Sequence, residues 1–449
     1  MLSRYNPKYA TRKYGNRTVP ILENWNPVTK ISGPTSMYIF TLFGKKYYFF
    51  GDIHHSRREN DCGDQCDDFD PNYRYIDYTG SNCMTIGALL HNWFIFNNDH
   101  NIKTDFYIET YFTKQTRKLN PTRYHIESRL YAEPFNDDKN LDDKSWMEIF
   151  PNLVPECFLP NKQNCQYYPN VHIHYSDVRI MDLGYKVIYS DPFIIFDFKD
   201  IMENNMLTTI DEIYNMKDQI TLILSFIIND YKKILQAYIS PSGLTNVLKL
   251  FIREYSQGLN SSIGEAFINK FRNMGKMHVI RNGIKMHRTA AEILKLQSDP
   301  TYGYIANLII EFTNNLAEET IEPLANTYLN IIDDLFNDFE QYQDIESGID
   351  SLVNIIDYFA DALVPLSVLS MDPYLLARMF FQKSDEIITF AGAAHIQNYI
   401  TFFTQYLNQF PVISIDHVNN EGRCVESNLL PQYLNADQYR KYVLQKTFL

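Results

Sequence analysis

The chain has 449 residues, 45% hydrophobic and 21% charged, which suits one large packed domain with insertions or two domains and excludes a disordered chain. Lys and Arg total 41 against 54 Asp and Glu, giving −13 with His neutral. So acidic a balance argues against nucleic acid or an anionic membrane surface as the main partner. Tyr (33) and Phe (30) are abundant and Gly (17) is scarce, a bias expected of an AT-rich genome such as that of a virus, a protist or a low-GC bacterium.

The segment Met1 to Pro20 is basic and polar with no apolar centre, so no signal peptide is expected. The longest apolar run, Ile220 to Ile228, is far below the roughly 20 residues a bilayer span needs. The expected location is therefore cytoplasmic, or the host cytoplasm or virion if the source is viral. The six cysteines, Cys62, Cys66, Cys83, Cys157, Cys165 and Cys424, contain no Cys-x-x-Cys and complete no zinc-finger spacing with His. A chain of this length needs no covalent staples, so reduced thiols are expected, with one local disulfide among Cys62, Cys66 and Cys83 as the alternative.

In chain order, residues 1–34 read as an extended, weakly periodic arm, and 35–200 as the first part of an α/β core with loop insertions. From Ser36 to Ile53 two apolar runs flank Phe43-Gly44-Lys45-Lys46, which predicts a β-hairpin turning at the glycine. An acidic loop from Glu59 to Pro71 follows and is read as solvated, since its spacing does not match a calcium loop. Met84 to Phe96 has helical spacing, and Asp105 to Phe112 reads as a strand with Glu109 inside an apolar run. A carboxylate there is costly to bury unless paired, ligated or protonated. Residues 113–170 show no period and are expected to be a loop or irregular insertion.

The run Val171 to Arg179 resumes strand alternation, with His172 and His174 on one face and Asp177 and Arg179 just beyond. The two histidines can bind a metal, although a surface pair is the commoner arrangement. Residues 201–370 are expected to form a large, mostly helical insertion. Within it, Ile210 to Leu235 reads as one amphipathic helix, Lys270 to Arg288 as a solvated basic face, and 305–342 and 349–369 as long helices. Residues 371–449 supply the second part of the core and a polar tail. There Asp372-Pro373 predicts a helix start, Ile387 to Gly392 a strand, Tyr399 to Leu407 a helix, and Val412 to Val418 a strand. The fold class is α/β, a central mixed β-sheet with flanking helices.

The chemistry gathers in a repeated pattern. Tyr47-Tyr48-Phe49-Phe50-Gly51-Asp52-Ile53-His54 and Ile387-Ile388-Thr389-Phe390-Ala391-Gly392-Ala393-Ala394-His395 are both strand-Gly-x-x-His. Gly51 is expected to let the backbone turn so that His54 points into a crevice. With the strands side by side, His54 and His395 share one sheet edge, and Glu109 completes a two-His-one-carboxylate set suited to a divalent metal. Such a metal acidifies water and polarises a carbonyl. Without one, a neutral His can itself activate water beside an arginine-stabilised oxyanion.

This arrangement resembles the TraB/Tiki family within the erythromycin-esterase/ChaN-like superfamily. The matching residues are Gly51 and His54, Glu109 in Tyr-Ile-Glu-Thr, Gly392 and His395 in Ala-Gly-Ala-Ala-His-Ile, and Arg378 on the preceding helix. Arg179 is a weaker match to another site arginine. The resemblance implies an α/β core with a helical insertion and a metal-dependent peptidase or esterase acting on a peptide or small ester. On that reading His54, His395 and Glu109 hold the metal, Arg378 and Arg179 bind or polarise the substrate, and Asp52 and His55 flank the site as a candidate general base or altered ligands. The competing readings are an inactive structural or interaction protein with self-association or particle-assembly contacts, and a haem or iron binder using the same histidines.

Overall fold

The computed structural model describes residues 10–14, 17–21, 28–53, 62, 66–70, 75–77, 82–109, 112–113, 131–132, 147, 168–176, 180–182, 187–189, 209–259, 278–281, 284–416 and 424–426. The chain divides into two compact units. The first comprises Met1–Ser128, Ala132–Ser176 and Gln382–Leu449; the second comprises Arg129–Tyr131 and Asp177–Phe381.

The first unit is built on a six-stranded sheet. Its strands in chain order are β1 (Ser36–Leu42), β2 (Lys45–Asp52), β3 (Thr104–Ile108), β4 (Val171–Tyr175), β5 (Glu386–Gly392) and β6 (Ile413–Asp416). Their spatial order is β4-β3-β5-β2-β1-β6. The four strands β4, β3, β5 and β2 run parallel, while β1 is antiparallel to β2 and β6 antiparallel to β1. This mixed sheet with flanking helices is the expected α/β class.

The expected hairpin is present, and Phe43 and Gly44 form its turn with φ of 55° and 75°. Two consecutive positive φ values match the twist of the strands on either side, and only the second falls on a glycine. Tyr47, Tyr48, Phe49 and Phe50 are all fully buried because β2 is an inner strand covered on both faces. On one face α1 (Ile86–Asp99) packs, with Trp93 edge-on to Tyr48 at 4.5 Å. Its start is fixed by the Thr85 hydroxyl, which accepts from Ala88 N at 3.3 Å. On the other face lies α2 (Ala393–Thr401), continued by a π-helical turn over Phe402–Tyr406. There Phe403 meets Phe40, Tyr47 and Phe49 at 4.9, 5.1 and 5.3 Å.

Several expectations are corrected. The N-terminal segment is not a plain extended arm, since Ala10–Tyr14 and Arg17–Ile21 pair as a hairpin and Lys30–Ser32 enters a three-stranded sheet between Cys83–Thr85 and Cys424–Glu426. The acidic loop is not wholly solvated, because Asp67 is fully buried and bridges to Met84. The thiols are not reduced: Cys62 is bonded to Cys424 and Cys66 to Cys83. The local pairing anticipated near Cys83 exists, and a second bridge spans 362 positions. Cys157, Cys165 and nearly all of 113–170 lie outside the described residues.

The second unit is mostly helical. The expected single helix from Ile210 to Leu235 is two, Ile210–Asn229 and Tyr231–Ile239. The break falls at Asp230, whose carboxylate accepts from Lys233 Nζ at 2.5 Å and Tyr255 OH at 2.6 Å. The long helices Gly303–Tyr342 and Ile345–Phe381 form a hairpin, turning at Gln343 with φ of 52°. The second of these runs through Asp372 and Pro373, so the expected start there does not occur. Proline forfeits one helical hydrogen bond, and here it is flanked by fully buried Met371, Tyr374, Leu375 and Leu376, whose packing outweighs that loss. Arg288 is also not on a solvated basic face; it is buried, 5.4 Å from the Tyr374 ring centroid.

Gly51 is likewise corrected. It sits inside β2 rather than in a turn, and a Cβ there would lie 2.4 Å from Ser36 Oγ and 3.3 Å from Ala393 Cα. The glycine is needed for close approach of the two motifs. Gly51→Ala should cost about 1–3 kcal/mol of stability through overpacking, read as a lower urea midpoint with an unchanged slope; a wild-type midpoint would show that the contact yields freely.

Candidate functional site

The parallel register brings the two Gly-x-x-His strands side by side. In β2 and β5, Gly51 lies opposite Ala391 and Asp52 opposite Gly392. β3 flanks β5 on its other side, with Ile108 opposite Phe390. The C-terminal ends of β2, β5 and β3 therefore lie at one sheet edge, where open α/β sheets place their ligands.

Glu109 is the first residue beyond β3, and its own N–H continues the ladder by donating to Phe390 O at 3.0 Å. The side chain is buried, which demands partners for both carboxylate oxygens. Oε2 accepts from Gly392 N at 2.6 Å, and Oε1 lies 3.2 Å from His395 Nε2. Gly392 precedes α2 and has no side chain to cap it, so Glu109 places a carboxylate at the helix N-terminus from the neighbouring strand. His395 is in the first turn of α2 and is buried. Glu109 and His395, 286 positions apart in the sequence, thus meet as expected.

Ser176 borders the same edge. Its N–H donates to Ile108 O at 3.0 Å, extending the β4–β3 ladder to the level of Glu109. Its hydroxyl is buried and has no hydrogen-bond partner among the described residues. Asp52 ends β2, and its Oδ1 accepts from Ile53 N at 2.9 Å. Strand alternation puts Asp52 on the face of Tyr48 and Phe50, the α1 side, whereas α2 covers the face of Tyr47 and Phe49.

His54, His55 and Arg179 lie outside the described residues, as does Asp177. Arg378 lies in the helical unit, where its Nη1 donates to Tyr374 OH at 2.5 Å and its guanidinium stands 5.5 Å from the Tyr374 ring centroid.

A test of metal fit can be made on the two expected ligands that are described. Two donors each about 2.1 Å from one ion lie roughly 3.0–3.4 Å apart in octahedral to tetrahedral geometry, and the His395–Glu109 separation of 3.2 Å fits that range. Among the described residues, a grouping of three potential ligand side chains occurs elsewhere, at Cys62, Cys66 and Cys83, whose sulfurs lie within 4.8 Å of one another and are held here in disulfides.

Two further buried polar clusters went unforeseen. At the start of β3, Asp105 is fully buried, with His174 Nε2 at 2.5 Å from Oδ1, His172 Nδ1 at 3.5 Å, and Ser384 Oγ donating to Oδ2. The expected surface pair is therefore split: His174 is buried and stacked on Tyr107 at 4.7 Å, while the His172 side chain is 40% exposed. Burial pushes the Asp105 pKa up, but hydrogen bonds from His172, His174 and Ser384 outweigh it and hold the carboxyl well below the usual range. On the opposite face Glu386 accepts from Tyr48 OH at 3.3 Å, Trp93 Nε1 at 3.0 Å and Asn97 Nδ2 at 2.7 Å. Burial dominates at Glu386 and raises its pKa. The only sequence signal for these clusters was a carboxylate at the start of each apolar strand.

No protein-family model, curated protein or solved structure matches the chain. No helix among the described residues is long and apolar enough to cross a membrane.

Two outcomes follow from these carboxylates. Glu109→Ala leaves the buried Gly392 N–H without its acceptor and should lower unfolding free energy by about 1–3 kcal/mol, whereas Glu109→Gln, which keeps an acceptor, should lose less; equal losses in urea titrations would refute the capping role. Because the Asp105 pKa is depressed in the folded state, its stabilisation is present above the ordinary aspartate value of about 3.9 and is lost as pH falls. Melting temperature measured against pH should therefore decline in acid, and Asp105→Asn should remove part of that slope.

Proposed function

We propose that the chain is a metal-dependent hydrolase of peptide or small ester substrates, a divergent relative of the TraB/Tiki family, acting at the C-terminal edge of the six-stranded sheet. The observation that carries this reading is the buried pair of His395 Nε2 and Glu109 Oε1 at 3.2 Å, at the strand end where Gly51 of β2 lies opposite Ala391. In this reading His395, Glu109 and His54 are the ligands. A divalent ion held there would supply Lewis acidity, lowering the pKa of water and polarising the scissile carbonyl.

The protein's own contribution is orientation. The Gly392 N–H fixes Glu109 Oε2, which sets the direction of Oε1 toward His395. α2 holds the imidazole in its first turn, with Nε2 beside Glu109 Oε1. Ser176, at the same level of the sheet with a buried hydroxyl, is placed to hold substrate or water beside Glu109. Arg378, bonded to Tyr374 in the helical unit, is assigned no step.

Metal content and hydrolysis measured together test this. The chain carrying Cys66→Ser and Cys83→Ser, so that thiolate-bound metal is not counted, should hold one divalent ion and cleave members of an ester and peptide panel. His395→Ala and His54→Ala should each lose ion and activity together. A folded protein without ion or activity would move the reading to an inactive interaction protein, and a Soret band to a haem binder.

A further inference from the structure

The cysteine cluster shares no residue with the His395–Glu109 pair and has no part in the hydrolase reading. We propose that Cys62, Cys66, Cys83 and Cys424 form a structural zinc site, filled when the thiols are reduced, for which the two disulfides are the oxidised form. The four residues come from three regions of the sequence and pack together, with Cys62, Cys66 and Cys83 buried and the partly buried Cys424 against them. The sulfurs of the first three lie within 4.8 Å of one another, and Cys424 is bonded to Cys62. Four thiolates at about 2.3 Å from one zinc lie roughly 3.8 Å apart. Cys62, Cys66 and Cys83 already have their sulfurs within 4.8 Å of one another, and Cys424 completes the set once its bond to Cys62 opens and its side chain turns toward the other three.

The chain pattern supports zinc independently of these distances. Cys62-x-x-x-Cys66 falls within the two-to-four-residue spacing of structural zinc sites. These two cysteines are not bonded to each other; each is bonded to a cysteine on a strand. The strands, Cys83–Thr85 and Cys424–Glu426, lie on either side of Lys30–Ser32, so one short sheet carries both partners of Cys62 and Cys66. A closed set of four sulfurs without an open position is a structural arrangement rather than a catalytic one.

The chemistry balances with a dithiol reductant. Each protein disulfide takes two electrons and two protons from a reductant molecule, which leaves as its own disulfide. The four thiols then release four protons to solvent as four thiolates bind one Zn²⁺. An oxidant such as hydrogen peroxide reverses this, taking electrons from the thiolates, forming both disulfides and water, and expelling the ion.

The full chain purified with a thiol reductant and no chelator should carry one zinc per chain at the cysteines by elemental mass spectrometry. His395→Ala should keep this zinc, which separates it from an ion of the hydrolase site. Replacement by Co²⁺ should give the strong sulfur-to-metal charge-transfer band and intense d–d bands of a tetrahedral thiolate. Peroxide should release one equivalent of ion and produce the Cys62–Cys424 and Cys66–Cys83 bridges in peptide mapping. The proposal is overturned if reduced protein takes up no zinc, or if the cobalt form lacks the thiolate band. The spectrum is read on the unsubstituted protein, so it decides even if Cys66→Ser or Cys83→Ser fails to fold.

Discussion

The first unit depends on the parallel pairing of β2 with β5, which aligns Gly51 and Asp52 with Ala391 and Gly392. A one-residue slip would turn Tyr47 and Phe49 out from under Phe403 and move Glu386 away from Tyr48. The pairing also sets the start of α2, because Ala393 rests against the bare backbone of Gly51. From that position His395 reaches Glu109. Packing in the sheet centre and geometry at the sheet edge are thus one constraint.

Beside Asp52 at the end of β2, three other buried carboxylates of this sheet are accommodated in different ways. Glu109 is held by a backbone N–H at a helix start and by an imidazole. Asp105 is held by imidazoles and a hydroxyl that favour its charge, and its pKa falls. Glu386 has three neutral donors, yet burial prevails and its pKa rises. Asp105 and Glu386 sit at the N-terminal end of parallel strands and lock α1 and the β3–β4 pair in place. Of these three, Glu109 lies at the C-terminal edge, 3.2 Å from an imidazole.

The sequence carried the fold class through local patterns. The alternation of β1 and β2 about Phe43-Gly44, the apolar run of β5 and the helical spacing around Trp93 are short-range signals, and each corresponds to an element of the structure. Glu109 and His395 were legible because a carboxylate in an apolar run and a repeated Gly-x-x-His are conspicuous against their surroundings. What stayed hidden depends on partners far along the chain. Nothing near Asp105 announces Ser384, and nothing near Cys62 announces Cys424. The Asp372-Pro373 start misled for a related reason: local helix-start chemistry lost to burial of the residues around it.

The strand order has a consequence for how the protein is made. β5 lies between β3 and β2, yet it is the fifth of the sheet's six strands to leave the ribosome. Until it arrives, the sheet is two separate halves with unpaired backbone facing the gap, and such edges invite association with other chains. The residues Asp177–Phe381 of the second unit are synthesised in that interval. Assembly of the sheet is therefore a late event, closed by a strand inserted between neighbours that have waited for most of the chain's synthesis.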